Sequence, residues 1–157
     1  MAVGDALASV DHLITQEAVS AYAEASGDFN PIHLDAEFAA GSHFGRRIAH
    51  GMMIAAAVSE LMAGAFGLDW ARSGKLKLRF RAPVFPGDQI QTRGTIKKVE
   101  ELEEGGRRIT CTVVTVRAPQ DSEEGDSEEG DSEKVAITAQ ASVVVACSQI
   151  QTIWITI

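Results

Sequence analysis

Asp28, Asn30 and His33 bring an acid, an amide and an imidazole together within six positions, in the run SGDFNPIH. An imidazole titrates near neutrality and can both take and give a proton, while an ionised carboxylate only accepts. Held on one rigid Asn-Pro turn, Asp28 and His33 can converge on a single small molecule such as water. The same composition also suits an ordinary polar turn, because Gly, Asp, Asn and Pro each favour turn geometry. Asp28 and Asn30 alone leave both readings open, and His33 weighs toward chemistry.

Other chemistries fit less well. A serine hydrolase needs a nucleophile elbow after a strand, and Gly41-Ser42-His43-Phe44-Gly45 is neither G-x-S-x-G nor preceded by a strand pattern. His33, Asp35, His43 and His50 do not fall into a zinc-binding helix spacing. There is no glycine-rich nucleotide loop. The residues therefore call for neither metal nor cofactor.

The polar turn needs elements on both sides. Residues 15–25 carry apolar positions at Ile14, Ala18 and Tyr22, with Thr15 as N-cap, Glu17 in the first turn and Gly27 past the end, which predicts a short amphipathic helix. A second helical piece is expected to start at Asp35 and cover Ala36 to Ala40. From His50 to Phe66 the chain is apolar nearly all round and rich in small residues, so a helix there must be wrapped on most sides. Then the period changes to two. Lys75 to Arg81 alternates, with Leu76, Leu78 and Phe80 on one face and four cations on the other, predicting a half-buried strand. Pro83, Pro86 and Gly87 force a turn. Further strands are expected at Gln89–Val99, Arg107–Arg117 and Val135–Cys147. The plan is α+β, a strand meander with a central apolar helix.

Length bounds this to about one domain, residues 1–157. Eight acids lie within residues 121–133, and without them the 14 remaining acids equal the 14 Lys plus Arg. The net charge of −8 therefore belongs to one segment, and no basic excess of the kind nucleic-acid binding needs is present. That segment, about residues 119–134, repeats Asp-Ser-Glu-Glu-Gly and is expected to be a solvated, mobile hairpin loop, its spacing unlike an EF-hand. The apolar tail, residues 148–157, is expected to pack or pair. Cys111 and Cys147 stand in apolar strand-like runs and are expected to be buried free thiols. The stretch Ile48 to Phe66 is interrupted by His50, Ser59 and Glu60, so it reads as a core helix rather than a membrane span. The N-terminus lacks a basic region followed by an apolar run, so a cytoplasmic protein is expected.

The run YAEASGDFNPIHLD, Tyr22 to Asp35, closely resembles the signature of the R-specific enoyl-CoA hydratases, the MaoC-like dehydratases with a hot-dog fold. IAHGMM at Ile48 to Met53 and FRAPVFPGD at Phe80 to Asp88 match in the right order, and the resemblance covers about residues 10–147. It implies a curved antiparallel sheet wrapped around the long central helix, and a homodimer with acyl chains bound near its interface. It also implies reversible syn hydration of trans-2-enoyl thioesters, carried by coenzyme A or an acyl carrier protein, to (R)-3-hydroxyacyl products. Asp28 and His33 match the catalytic acid/base dyad, Asp28 accepting a proton from water and His33 delivering one to C2, and Asn30 matches the supporting amide. The backbone N–H of Gly51 falls where the thioester carbonyl is polarised. A helix N-terminus suits a developing enolate oxygen, since it offers free N–H groups and a positive dipole end.

Within this resemblance His50 is expected to cap or pack, and Met52, Met53 and Met62 to be core. Arg79 and Arg81 form a charged outer strand face, although coenzyme A phosphates are an alternative use. Glu60 is expected to be a partnered structural carboxylate. A hot-dog thioesterase reading would rest on it alone. A subunit of a heteromeric hydroxyacyl dehydratase is the other alternative, and the intact dyad counts against an inactive partner.

Overall fold

A computed structural model describes residues 1–103, 105–118 and 134–146. The acidic repeat, Cys147 and the apolar tail lie outside these residues. Five antiparallel strands form one sheet: β1 (Val10–Leu13), β2 (Lys75–Phe80), β3 (Gln89–Glu101), β4 (Arg107–Ala118) and β5 (Lys134–Val145), in the order β1-β3-β4-β5-β2. The expected meander is β3-β4-β5. β2, which precedes it in sequence, crosses to the far edge and pairs with β5, Lys75 opposite Ser142 and Phe80 opposite Ile137. Register shifts at Ile96/Lys98 and at Thr115/Val116 insert extra residues, which bends strands and increases their twist.

The helices are α1 (Gln16–Ser26), α2 (Pro31–Leu34), α3 (Ala36–Ala40), α4 (Gly51–Phe66) and α5 (Leu68–Ser73). α1 begins where expected, the Thr15 hydroxyl accepting from the Ala18 N–H at 3.1 Å. Glu17 in its first turn is held below the usual carboxylate range, by its backbone hydrogen bond first and the Thr15 hydroxyl second. α1 ends at Gly27 in the left-handed region, φ 73°, where a side chain would be strained. Its buried positions are Val19 and Ala23 rather than the expected Ala18 and Tyr22, which are only partly covered. Asp35 caps α3 as expected, accepting from Glu37 N–H at 2.9 Å and Phe38 N–H at 3.0 Å.

α4 crosses the concave face of the sheet and packs Ile54, Val58, Leu61 and Met62 against Ile96, Ile109, Cys111, Val113, Ile137 and Val143. The crossing is close at Gly94, where a Cβ would lie 2.9 Å from Leu61 Cδ2 and 3.0 Å from Leu7 Cδ1. Cys111 is buried and free, and burial pushes its thiol above the ordinary range. In the sheet interior the hydroxyls of Thr92 and Thr115 satisfy each other at 2.9 Å.

Two expectations about apolar faces need correction. α4 is not covered all round: Met52 is 63% exposed, not core, and Ala56, Glu60 and Ala63 are exposed along the same side. β2 is not half-buried in the expected way, since Leu76 is 37% and Phe80 53% exposed. The reason is topological. β2 is an edge strand with no partner on its outer side among the described residues, so its apolar row runs out from under α4.

The turn between β2 and β3 is held by a buried ion pair. Asp88 Oδ2 accepts from Arg117 Nη1 at 3.1 Å and from the Phe85 N–H at 2.9 Å. The Asp88 carbonyl accepts from Ile14 N–H at 2.9 Å, and Val84 O accepts from Ala49 N–H at 2.8 Å, so the turn is tied both to the start of α1 and to the approach to α4.

Candidate active site

Between α1 and α2 the exposed Asp28 accepts from the Asn30 N–H at 3.2 Å through Oδ1. Asn30 in turn caps α2, its Oδ1 accepting from Ile32 N–H at 3.1 Å, and Pro31 follows at the first helical position, where a missing N–H costs nothing. Where the composition predicts only a rigid turn, the chain forms this one-turn helix. It swings His33 inward, to 8% exposure, and Gln16 Nε2 holds it there by donating to the His33 carbonyl at 3.1 Å.

The His33 ring is oriented by main chain: Nδ1 lies 2.8 Å from the Ile48 carbonyl. A carbonyl only accepts, so Nδ1 carries a proton and Nε2 is the ring nitrogen left uncommitted. His50, 2% exposed, stacks on His33 with ring centroids 3.8 Å apart and planes 30° from parallel. It stands at the N-cap position of α4 and makes no capping bond with its side chain, so of the two roles expected of it, capping or packing, it takes packing. Its Nε2 instead donates to the Asp28 carbonyl at 2.9 Å, and its Nδ1 is buried without a partner among the described residues. The Tyr22 ring covers its other side at 4.9 Å. His50 thus clamps the two ends of the Asp28–His33 segment, a link that a separation of 22 residues hides from any local motif.

A carboxylate oxygen of Asp28 and a ring nitrogen each of His33 and His50 lie within 4.8 Å of one another. Two hydrogen bonds of ordinary length to one water, at its tetrahedral angle, span about 4.6 Å, so one water can bridge Asp28 and His33. Each imidazole donates from one nitrogen to a backbone carbonyl, which leaves Nε2 of His33 and Nδ1 of His50 as the uncommitted ring atoms.

His33 lines an apolar cleft of about 320 Å³ together with Ile48, Ile54, Phe80, Val84 and Ile137. Asp28 borders a different recess, walled by Tyr22, His50, Met52 and Phe80. Gly51, which opens α4, belongs to both. Its N–H is in the first turn, where no intrahelical acceptor exists.

The remaining candidates fall elsewhere. Glu60 lies nine residues into α4, about 13 Å along the axis from Gly51, and pairs with His12 Nε2 at 2.7 Å on the surface, the partnered role expected of it. Arg81 Nε donates to Thr138 Oγ1 at 3.1 Å and the residue lines the cleft mouth, while Arg79 is exposed on the strand. Sequence reasoning missed Phe80, Tyr22 and the Ile48 carbonyl as parts of the site. Only Phe80 carried a signal, as an aromatic ending a strand just before a Pro-rich turn.

Comparison with known proteins finds relatives of a single family. Residues 2–118 match the MaoC-like domain family. A 3-hydroxyacyl-thioester dehydratase of Mycobacterium tuberculosis is 37% identical over 106 residues, 65% of this chain and 69% of that protein. The (R)-specific enoyl-CoA hydratase of Aeromonas caviae is 38% identical over 87 residues, 53% of this chain and 62% of that protein. The unliganded R-hydratase of Pseudomonas aeruginosa superposes with a TM-score of 0.69 at 26% identity, over 93% of this chain and 83% of that one. With its sheet curled around α4 in the hot-dog arrangement, the chain belongs to the MaoC-like dehydratase family.

Proposed function

We propose that this protein is a hydro-lyase that adds water reversibly across trans-2-enoyl thioesters to give (R)-3-hydroxyacyl thioesters. The observation that carries the reading is the approach of the Asp28 carboxylate and a His33 ring nitrogen to within 4.8 Å, beside an apolar cleft and the first turn of α4. In the hydration direction Asp28 and His33 orient one water. Asp28 accepts its proton as the oxygen bonds C3, and the C2–C3 π pair moves toward the thioester oxygen. The Gly51 N–H stabilises that enolate. His33 enters this direction as the imidazolium, with a proton on each ring nitrogen, and gives the Nε2 proton to C2 while Nδ1 stays bonded to main chain. Return of the Asp28 proton to His33 closes the cycle. Asn30 positions the pair by capping α2.

The carrier in this reading is coenzyme A or an acyl carrier protein, whose thioester end meets the dyad alike. A fall in enoyl-thioester absorbance with crotonyl-CoA, without release of free thiol, is the expected result; thiol release would instead indicate a thioesterase. That alternative is poorly served, because Glu60 is on the surface and tied to His12.

The same proposal includes a homodimer. The outer edge of β2 offers main chain that is unpaired among the described residues, along a strand whose Leu76 is exposed, with Met52 exposed on α4, and a second copy would cover both side chains. Light scattering should give about 33 kDa, twice the 16.7 kDa chain; a mass near that of one chain would overturn it.

A further inference from the structure

Phe80 is the one large side chain shared by the two recesses of the site. It lines the apolar cleft that holds His33 and also the recess that holds Asp28, and it is 53% exposed. Its ring rests on Gly51: a Cβ built there would stand 3.1 Å from Phe80 Cε1 and 3.2 Å from Cζ, closer than carbon atoms normally pack. Glycine at 51 is therefore what lets the ring lie over the start of α4. The ring stands beside the N–H that would hold the thioester oxygen, and with Gly51 it borders both the Asp28 recess and the His33 cleft.

We propose that Phe80 is a gate and the specificity-determining residue of the site, swinging off Gly51 to merge the two recesses into one channel for the acyl thioester. The inference rests on the hydration reading above. A reacting C2–C3 bond must meet Asp28 and His33 together, so an acyl thioester has to span both recesses and pass the one ring that borders each. Phe80 is the last residue of β2 and its side chain is half-exposed, which leaves the ring room to turn. On the wall facing the ring, Ile54, Val84 and Ile137 make the cleft apolar, as an acyl chain requires, while the recess on the other side holds the polar Asp28, Ser26 and His50. A short acyl chain passes with a small rotation of the ring; a long one needs it fully clear, so bulk at position 80 sets how chain length is ranked.

The test uses the full chain as wild type, Phe80→Ala, Phe80→Leu and Phe80→Trp, with thermal melts to establish folding. kcat/KM is measured for trans-2-butenoyl-CoA and trans-2-octenoyl-CoA. The octenoyl-to-butenoyl ratio should rise about tenfold in Phe80→Ala, the scale on which apolar pockets discriminate, rise less in Phe80→Leu and fall in Phe80→Trp. A ratio within twofold of wild type in every folded variant overturns the gate. Should Phe80→Ala not fold, the Leu and Trp variants decide. If wild type hydrates neither thioester, the hydratase reading fails by itself. The gate is then judged by dissociation constants for butanoyl-CoA and octanoyl-CoA, whose ratio should move in the same order, and a constant ratio overturns it.

Discussion

Asp28→Asn and His33→Ala should each lower kcat for crotonyl-CoA hydration by at least about 10³-fold, the upper part of what one positioned acid or base contributes. The Asn variant is the cleaner of the two. Its side-chain oxygen still accepts from the Asn30 N–H, so the turn that caps α2 survives while the proton acceptor is lost. His33→Ala also removes the partner of the partly buried Ile48 carbonyl, so a modest thermal destabilisation should accompany its loss of rate. Because the two groups serve one water, the double variant should be little slower than the worse single one. Either variant turning over near the wild-type rate would remove the dyad from the mechanism. Hydration is read by absorbance at saturating substrate, with near-ultraviolet circular dichroism as the check on folding.

The largest stability effect is expected at Asp88, far along the chain from the dyad. Asp88→Ala leaves the Arg117 guanidinium buried with its ion partner gone and its Nε already without an acceptor among the described residues. Breaking a buried pair in this way costs about 3–5 kcal/mol, which for a chain of this size lowers Tm by roughly 10 °C. The Phe85 N–H loses its acceptor as well. The damage should spread to activity, since the same turn presents the Val84 carbonyl that holds Ala49, two residues before Gly51. Adding Arg117→Met to Asp88→Ala should recover a large part of the lost Tm, because the cost lies in the orphaned charge more than in the absent contact. A double variant as unstable as Asp88→Ala would show that packing around Phe85, not charge, holds the turn; Arg46 and Arg117 both lie against that ring, at 3.9 and 5.1 Å from its centroid.

Much of this arrangement was legible in the chain. Thr15, Gly27 and Asp35 mark helix ends by local hydrogen bonding, and local rules hold wherever a residue's partner is within a turn of it. β3, β4 and β5 are long and regularly patterned, and each lies within about two residues of its expected bounds. β1, only four residues long and mostly exposed, has no alternation to read, and α5 buries none of its residues. The apolar row of β2 misled because alternation reports that a face is apolar, while only topology decides whether anything covers it. The site divides in the same way. Asp28, Asn30 and His33 form a contiguous motif and could be picked out. His50, Phe80 and the Ile48 carbonyl reach the dyad across 15 residues or more, through packing that no spacing rule encodes.

That His33 is oriented by the carbonyl of residue 48, not by a side chain, separates two things that most pockets entangle. The Ile48 side chain forms part of the cleft wall while its main-chain oxygen holds the imidazole. A change from Ile48 to a smaller or larger residue can reshape the apolar cleft while the bond that orients His33 stays, because the carbonyl is common to every amino acid. Under the proposed function, substrate range can diversify at this position without retuning the chemistry.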